Sequence, residues 1–160
     1  LKEYVRTLTA ELAGNYNFII EDLSRASNSK QDLDYISTSC DVIVLLMEPT
    51  VSSVREAKRT MRCLEMADSN ARCLFVLNYT IAEKAATISP ADIKEFLGRE
   101  PDVVLPNEPR MSKLVLEQKH IYQHDYPVSQ NLHKLTAMLL GQSDEGDKNS
   151  WLRRMLKRGK

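Results

Sequence analysis

The segment Asn17-Phe18-Ile19-Ile20-Glu21-Asp22 decides how this chain is read. It is a short apolar run that ends in a carboxylate and passes into Ser24, Ser27, Asn28 and Ser29. A continuous apolar run bounded by turn-forming residues suits a strand buried on both faces of a parallel sheet. Ligands of open parallel sheets bind in the crevice beyond the carboxyl ends of the strands, which makes Asp22 a candidate binding residue. The alternative is that Asp22 only satisfies backbone donors in the following loop, as Asp commonly does.

Working outward, the same kind of segment recurs. Residues 41–47 (DVIVLLM), 72–77 (RCLFVL) and 102–105 read as three further strands. Between them lie helical patterns. Residues 2–13 carry Tyr4, Val5, Leu8 and Leu12 at helical spacing and stop at Gly14, and 31–37 is a short helix candidate. Residues 51–67 carry Val54, Ala57, Met61 and Leu64 as an apolar stripe, with Ser52 or Ser53 as the expected cap. Ser89-Pro90 opens a helix that Gly98 stops. A helix from Arg110 to about Lys119 follows, then a last one, capped by Ser129, to Leu140. Strands alternating with helices mean an α/β fold with a parallel sheet and right-handed crossovers.

The chain has 160 residues, 42% hydrophobic and 28% charged, enough for one domain with a core. No apolar run approaches the ~18 residues of a membrane span. The chain opens at Leu1 without a methionine or a signal peptide, and reads as a fragment of a longer protein. Cys40, Cys63 and Cys73 have no metal-binding spacing and read as buried, reduced thiols of a cytosolic protein. Formal net charge is zero but uneven. The last eleven residues hold five cations and no acid, which leaves residues 1–149 with 17 basic against 22 acidic residues, five units negative. An acidic body argues against a broad nucleic-acid face.

Four expected strands end in polar or turn-forming residues: Asp22, then Glu48-Pro49-Thr50, then Asn78, then Pro106-Asn107-Glu108. In a parallel sheet these share one edge, so one ligand could touch several. A carboxylate there suits a magnesium ion that keeps its waters. A side-chain amide offers a donor and an acceptor side by side, which suits a purine edge; otherwise Asn78 merely turns the chain. His120, His124 and His133 are not at ligand spacing with Asp or Cys. Arg55, Lys58, Arg59 and Arg62 put a basic face on one helix.

The segments YNFIIED, PTVSSVREAKR, FVLNY and LPNEPR occur in the order and spacing of the ParA/MinD family of deviant-Walker P-loop ATPases. Of these, PTVSSVREAKR most resembles MinD and its pilus-assembly relatives, the CpaE/TadZ group. The resemblance covers residues 1–141 and implies the C-terminal half of a three-layer P-loop NTPase fold that takes ATP and Mg2+. It implies that Asp22 is the catalytic, Walker-B-like aspartate holding the magnesium water shell. It also implies that Asn78 reads adenine and that Pro106, Asn107 and Glu108 close over the base. Leu23-Ser24-Arg25 follow Asp22 where the family often has Pro or Thr-Pro. Gly14, Gly98, Gly141, Gly146 and Gly159 are isolated, so the Gly-rich, Lys-containing phosphate loop is expected upstream of Leu1.

Residues 142–149 (QSDEGDKN) read as a flexible linker. In 150–160, Trp151, Leu152, Met155 and Leu156 fall within about 140° of a helical wheel, with Arg153, Arg154, Lys157 and Arg158 on the other side or at the end. A basic amphipathic helix reads as an anchor on an anionic membrane surface; the alternative is that it docks on a partner protein or on the body. Partial burial of four apolar side chains is worth ~4 kcal/mol, so one tail is marginal and two on a dimer bind far better. The resemblance, with the tail, implies a cytoplasmic MinD/ParA-like ATP-binding protein, peripheral at the inner face of the membrane. The protein so implied localises or assembles a pilus or secretion machine through nucleotide-gated homodimerisation, with proteins of that machine as partners. ATPase activity is expected of the full-length protein and not of this fragment alone. The rivals are a non-hydrolysing localisation scaffold and a DNA-partition ATPase; nucleic acid is the less expected partner.

Overall fold

Three strands pair in parallel in the order β1-β2-β3: β1 (Val42–Met47), β2 (Arg72–Asn78) and β3 (Val103–Leu105). The computed structural model describes residues 2–23 and 30–142. The expected linker, apart from Gln142, and the expected tail helix lie outside the described residues. Around the sheet run α1 (Lys2–Ala13), α2 (Lys30–Ser39), α3 (Val51–Met66), α4 (Pro90–Leu97), α5 (Met111–Leu116) and α6 (Pro127–Leu139). This is the expected α/β fold with a parallel sheet.

Leu74, Phe75, Val76 and Leu77 of β2 are all buried, because helices cover both faces of the central strand. Phe75 and Leu77 pack with Met47 of β1, Val54 and Ala57 of α3, and Ile93 and Leu97 of α4. On the opposite face Val76 packs with Val103, Leu105 and Val128, with Leu132 and Leu135 of α6 against them. The result is three layers. Each of those β2 side chains contributes about 1.5–3 kcal/mol through removal from water. A smaller cluster joins Leu33, Tyr35 and Ile36 of α2 to Val5 of α1, Ile43 of β1 and Cys63 of α3.

Local signals account for α4 in full. Ser89 Oγ accepts from the Asp92 N–H at 3.2 Å, the Asp92 carboxylate accepts from the Ser89 N–H at 3.1 Å, and Pro90 stands at the first helical position. Gly98, at φ +82°, ends the helix in the left-handed region. Elsewhere the structure departs from the local signals. The cap of α3 is Thr50, whose Oγ1 accepts from the Ser53 N–H at 3.3 Å. Ser53 Oγ instead accepts from the Glu48 N–H at 2.9 Å, tying the helix start to the end of β1. Ser129 caps nothing: α6 begins at Pro127, and the fully buried Ser129 hydroxyl donates to the Ile121 carbonyl at 2.7 Å. α5 stops at Leu116 because Gln118 enters the left-handed region at φ +54° and Lys119 N–H closes back on Leu114 O at 2.9 Å.

The larger correction concerns residues 17–22. They form no strand: Phe18 is 57% and Ile20 90% exposed. A strand needs a neighbour to complete its backbone hydrogen bonds, and no strand among the described residues pairs with this segment or with the outer edge of β1. β1 is likewise not buried on both faces. α3 covers the face of Leu45 and Met47, while Val44 and Leu46 on the α6 side remain exposed. Cys40, Cys63 and Cys73 are free but only partly buried.

The capping geometry predicts that Thr50→Ala destabilises the fold by about 1 kcal/mol, whereas Ser52→Ala stays within about 0.5 kcal/mol of the parent. Urea denaturation followed by circular dichroism reads both.

Candidate site at the carboxyl edge of the sheet

In a consecutive parallel sheet the ends of β1, β2 and β3 lie along one edge. Register places Asn78, the last residue of β2, opposite Leu105, and the Tyr79 N–H donates to Leu105 O at 2.9 Å. Asn78 therefore stands beside the start of the Pro106-Asn107-Glu108 loop. Asn107 Nδ2 donates to Thr80 O at 2.9 Å, stitching that loop to the turn after β2. Two of the expected edge segments are thus joined directly. The segment that ends β1 is fastened elsewhere, since Thr87 Oγ1 donates to the carbonyl of Pro49 at 3.0 Å and ties it to the loop before α4.

Asn78 is half-buried, and its side chain makes no hydrogen bond to the described residues. The side-chain amide is left with its donor and its acceptor available, as a ligand-reading group requires. Asn107 differs, because its amide is already spent on the chain. Glu108 is also committed. Its carboxylate accepts from Arg110 Nε at 2.6 Å and Nη2 at 3.0 Å, and its side chain is only 6% exposed. Arg110 in turn lies 3.9 Å from the ring centroid of Tyr126. Glu108 is thus a brace that fixes the loop to the start of α6, a role its position alone does not signal.

Behind Asn78, Tyr79 points into the α3/α4 core with its hydroxyl buried and unpartnered. Burial, then the nearby Glu83 charge, pushes the phenol above its usual range. In the sequence a Tyr straight after a buried strand is the only trace of this residue.

Asp22 ends no strand of the described sheet. It is exposed and lies outside any strand. Its neighbour Glu21 is anchored instead, accepting from Thr9 Oγ1 at 3.0 Å and from the Tyr35 hydroxyl at 2.9 Å, so the segment is tied to α1 and α2. Arg6 lies 5.5 Å from the Tyr35 ring centroid in the same cluster. Burial, followed by the hydrogen bond and charge of Glu21, raises the Tyr35 phenol.

Asn78 and the braced loop offer an amide beside a wall. Among the described residues no group of three acidic, His or Cys side chains could hold a metal ion, and Gly98 and Gly141 each serve to end a helix. Trp151, Leu152, Met155, Leu156 and the tail cations lie outside the described residues. No described helix is long and apolar enough to cross a membrane.

No protein-family model matches the chain. No curated protein matches its sequence. Solved structures do match its fold. The MinD cell division protein of Aquifex aeolicus is 24% identical, with a TM-score of 0.65 over 91% of this chain and 61% of that one. A MinC:MinD cell division protein complex from the same organism gives 22% identity and 0.65, over 93% and 61%. The cell division ATPase MinD of Pyrococcus furiosus gives 17% and 0.64, over 88% and 59%. This chain thus spans about three-fifths of the length of each. The fold is that of MinD ATPases; a special closeness to CpaE/TadZ has no counterpart among these structures.

The Arg110 guanidinium holds the Glu108 carboxyl below its usual range, chiefly through the side-chain hydrogen bond. Because the folded value lies under the unfolded one, the brace is intact above the ordinary Glu value of ~4.3 and is lost as pH falls through the lowered one. Carbon-13 NMR titration is expected to show Glu108 titrating below the ordinary range, and Arg110→Gln to return it there.

Proposed function

We propose that this chain is the adenine-reading and membrane-attaching part of a MinD-like ATP-binding protein. The observation that carries the reading is the available Asn78 amide, set beside the braced Pro106-Asn107-Glu108 loop on the carboxyl edge of a parallel sheet with the MinD fold. Asn78 pairs with the edge of adenine. Pro106 and Asn107 form the wall against the base, and Glu108 holds that wall through Arg110 rather than touching the nucleotide. Asp22 would hold the water shell of Mg2+ in the complete protein, and nucleotide bound there would gate the pairing of two copies.

Nucleotide-gated dimerisation would then couple to the tail. Trp151, Leu152, Met155 and Leu156 insert at the headgroup boundary, and Arg153, Arg154, Lys157 and Arg158 meet anionic lipid. The protein serves to position a pilus or secretion machine at the inner face of the membrane, through a protein partner. A rival reading is a scaffold of the same fold that does not hydrolyse ATP, favoured by Leu23-Ser24-Arg25 following Asp22 where the family often has Pro or Thr-Pro.

Two experiments on the natural full-length protein test this. Fluorescent ATP-analogue titration is expected to show Asn78→Ala weakening binding about tenfold, the worth of one well-placed hydrogen bond, and narrowing the preference for adenine over guanine. Unchanged affinity and preference would remove Asn78 from the site. Sedimentation with anionic vesicles is expected to show Trp151→Glu abolishing most of the bound fraction; unchanged sedimentation means the tail is not an anchor.

A further inference from the structure

Tyr79 is 3% exposed, and its buried hydroxyl has no hydrogen-bond partner among the described residues. An unpaired buried hydroxyl costs stability that a phenylalanine in the same place would not. The segment after it packs over the same core: Ala86 and Ile88 lie against the cluster that holds Tyr79. Two ties hold this segment to the carboxyl edge of the sheet. Thr80 O accepts from Asn107 Nδ2 at 2.9 Å on the β3 side, and Thr87 Oγ1 donates to the Pro49 carbonyl at 3.0 Å at the end of β1. Between them lies a single 3-10 turn, Glu83–Ala85, whose start has no side-chain cap. Ala85 N–H donates to Ala82 O at 2.8 Å and Ala86 N–H to Glu83 O at 3.0 Å. Bonds internal to the segment move with it, so residues 81–86 form a strap fixed at its ends and movable in the middle. Glu83 is exposed on that strap. Burial first, and the Glu83 charge second, keep the Tyr79 phenol protonated, so it stands as a donor in the field of an acceptor on the strap.

We propose that residues 80–87 are a strap that closes on a nucleotide at the carboxyl edge, with the Tyr79 hydroxyl as its latch, donating to the Glu83 carboxylate in the closed state. This rests on Asn78 meeting the base and adds a moving part to that site. The structure holds the open form, in which the donor is buried and the acceptor exposed. Closure brings Glu83 inward and gives the orphaned hydroxyl a charge-assisted bond. The amide of Asn78 and the latch sit on consecutive residues, on opposite faces of the extended chain. Asn107 belongs to the wall beside Asn78 and also holds Thr80, so a ligand against that wall bears on the first tie of the strap. The open form carries the cost of an unpaired donor, and ordering the strap costs conformational entropy. A ligand that binds the closed form better tips that balance.

Hydrogen exchange on the natural full-length protein, with and without a saturating ATP analogue, tests it. In the parent the analogue is expected to slow exchange across residues 81–86 by at least about tenfold, the worth of one charge-assisted hydrogen bond. Tyr79→Phe and Glu83→Ala are each expected to lose that protection, while Glu95→Ala, which removes an exposed acid from α4, keeps it. Tyr79→Phe is also expected to unfold in urea no earlier than the parent, because it removes an unpaired hydroxyl from the core. Lost protection at undiminished stability is an outcome that a merely structural tyrosine does not give. Retained protection in both variants, or no nucleotide-dependent protection in the parent, overturns the proposal. A lower urea midpoint for Tyr79→Phe overturns it as well, since the hydroxyl then already has a partner. Analogue affinity, measured alongside, separates the strap from the base site. Weaker binding by Asn78→Ala with an unprotected strap in the parent removes the strap alone. Protection lost in the two latch variants, with Asn78→Ala binding as the parent does, supports the strap and removes Asn78 from the site.

Discussion

The parallel ladder through β2 is the constraint on which the rest depends. A parallel strand cannot return by a tight turn, so each step across this sheet requires a crossover. Here α3 and α4 supply the two crossovers on one face, and α6 closes the other. Leu74 to Leu77 are buried only because both layers are present. The same geometry collects the carboxyl ends of the strands on one edge, which is why Asn78 and the Pro106-Asn107-Glu108 loop meet although 27 residues separate Asn107 from the Thr80 carbonyl it binds.

The edge is stiffened unevenly, and that unevenness is informative. Asn107 and Glu108 spend their polar groups on the chain itself, Asn107 on Thr80 and Glu108 on Arg110. Asp102 does similar work at the far end of β3, accepting from the Phe75 N–H at 2.7 Å while pairing with Arg99, whose guanidinium lies over the Phe75 ring. Polar groups locked in this way set geometry. Asn78 differs from them in that its side-chain amide makes no hydrogen bond to the described residues.

The two faces of α3 divide the labour of the opposite layer. Its apolar stripe fixes the helix against β1 and β2, and this rigid seat holds the outer arginines at a constant spacing. That face and the carboxyl edge of the sheet are separate surfaces of one scaffold. Thr50 and Ser53 at the head of α3 link the two, since their hydrogen bonds connect the helix start directly to the end of β1.

Helices are the most legible part of the sequence. Ser89, Pro90, Asp92 and Gly98 determine α4 by themselves, because a helix completes its hydrogen bonds within its own segment and its ends are settled by adjacent side chains. The α3 stripe and the three strands that find neighbours are legible for a related reason: their periodicity records which side meets the core. Tertiary structure decides what depends on a neighbour. Residues 17–22 have the composition of a buried strand, yet no strand among the described residues pairs with them, and Phe18 and Ile20 stand exposed. Ser129 looks like a cap, yet packing turns its hydroxyl to Ile121. Glu108 reads in sequence as a ligand-facing residue, but Arg110 and Tyr126 make it a brace. A strand, a buried hydroxyl and a carboxylate all take their partners from elsewhere in the chain, so their roles are set only once the chain has folded around them.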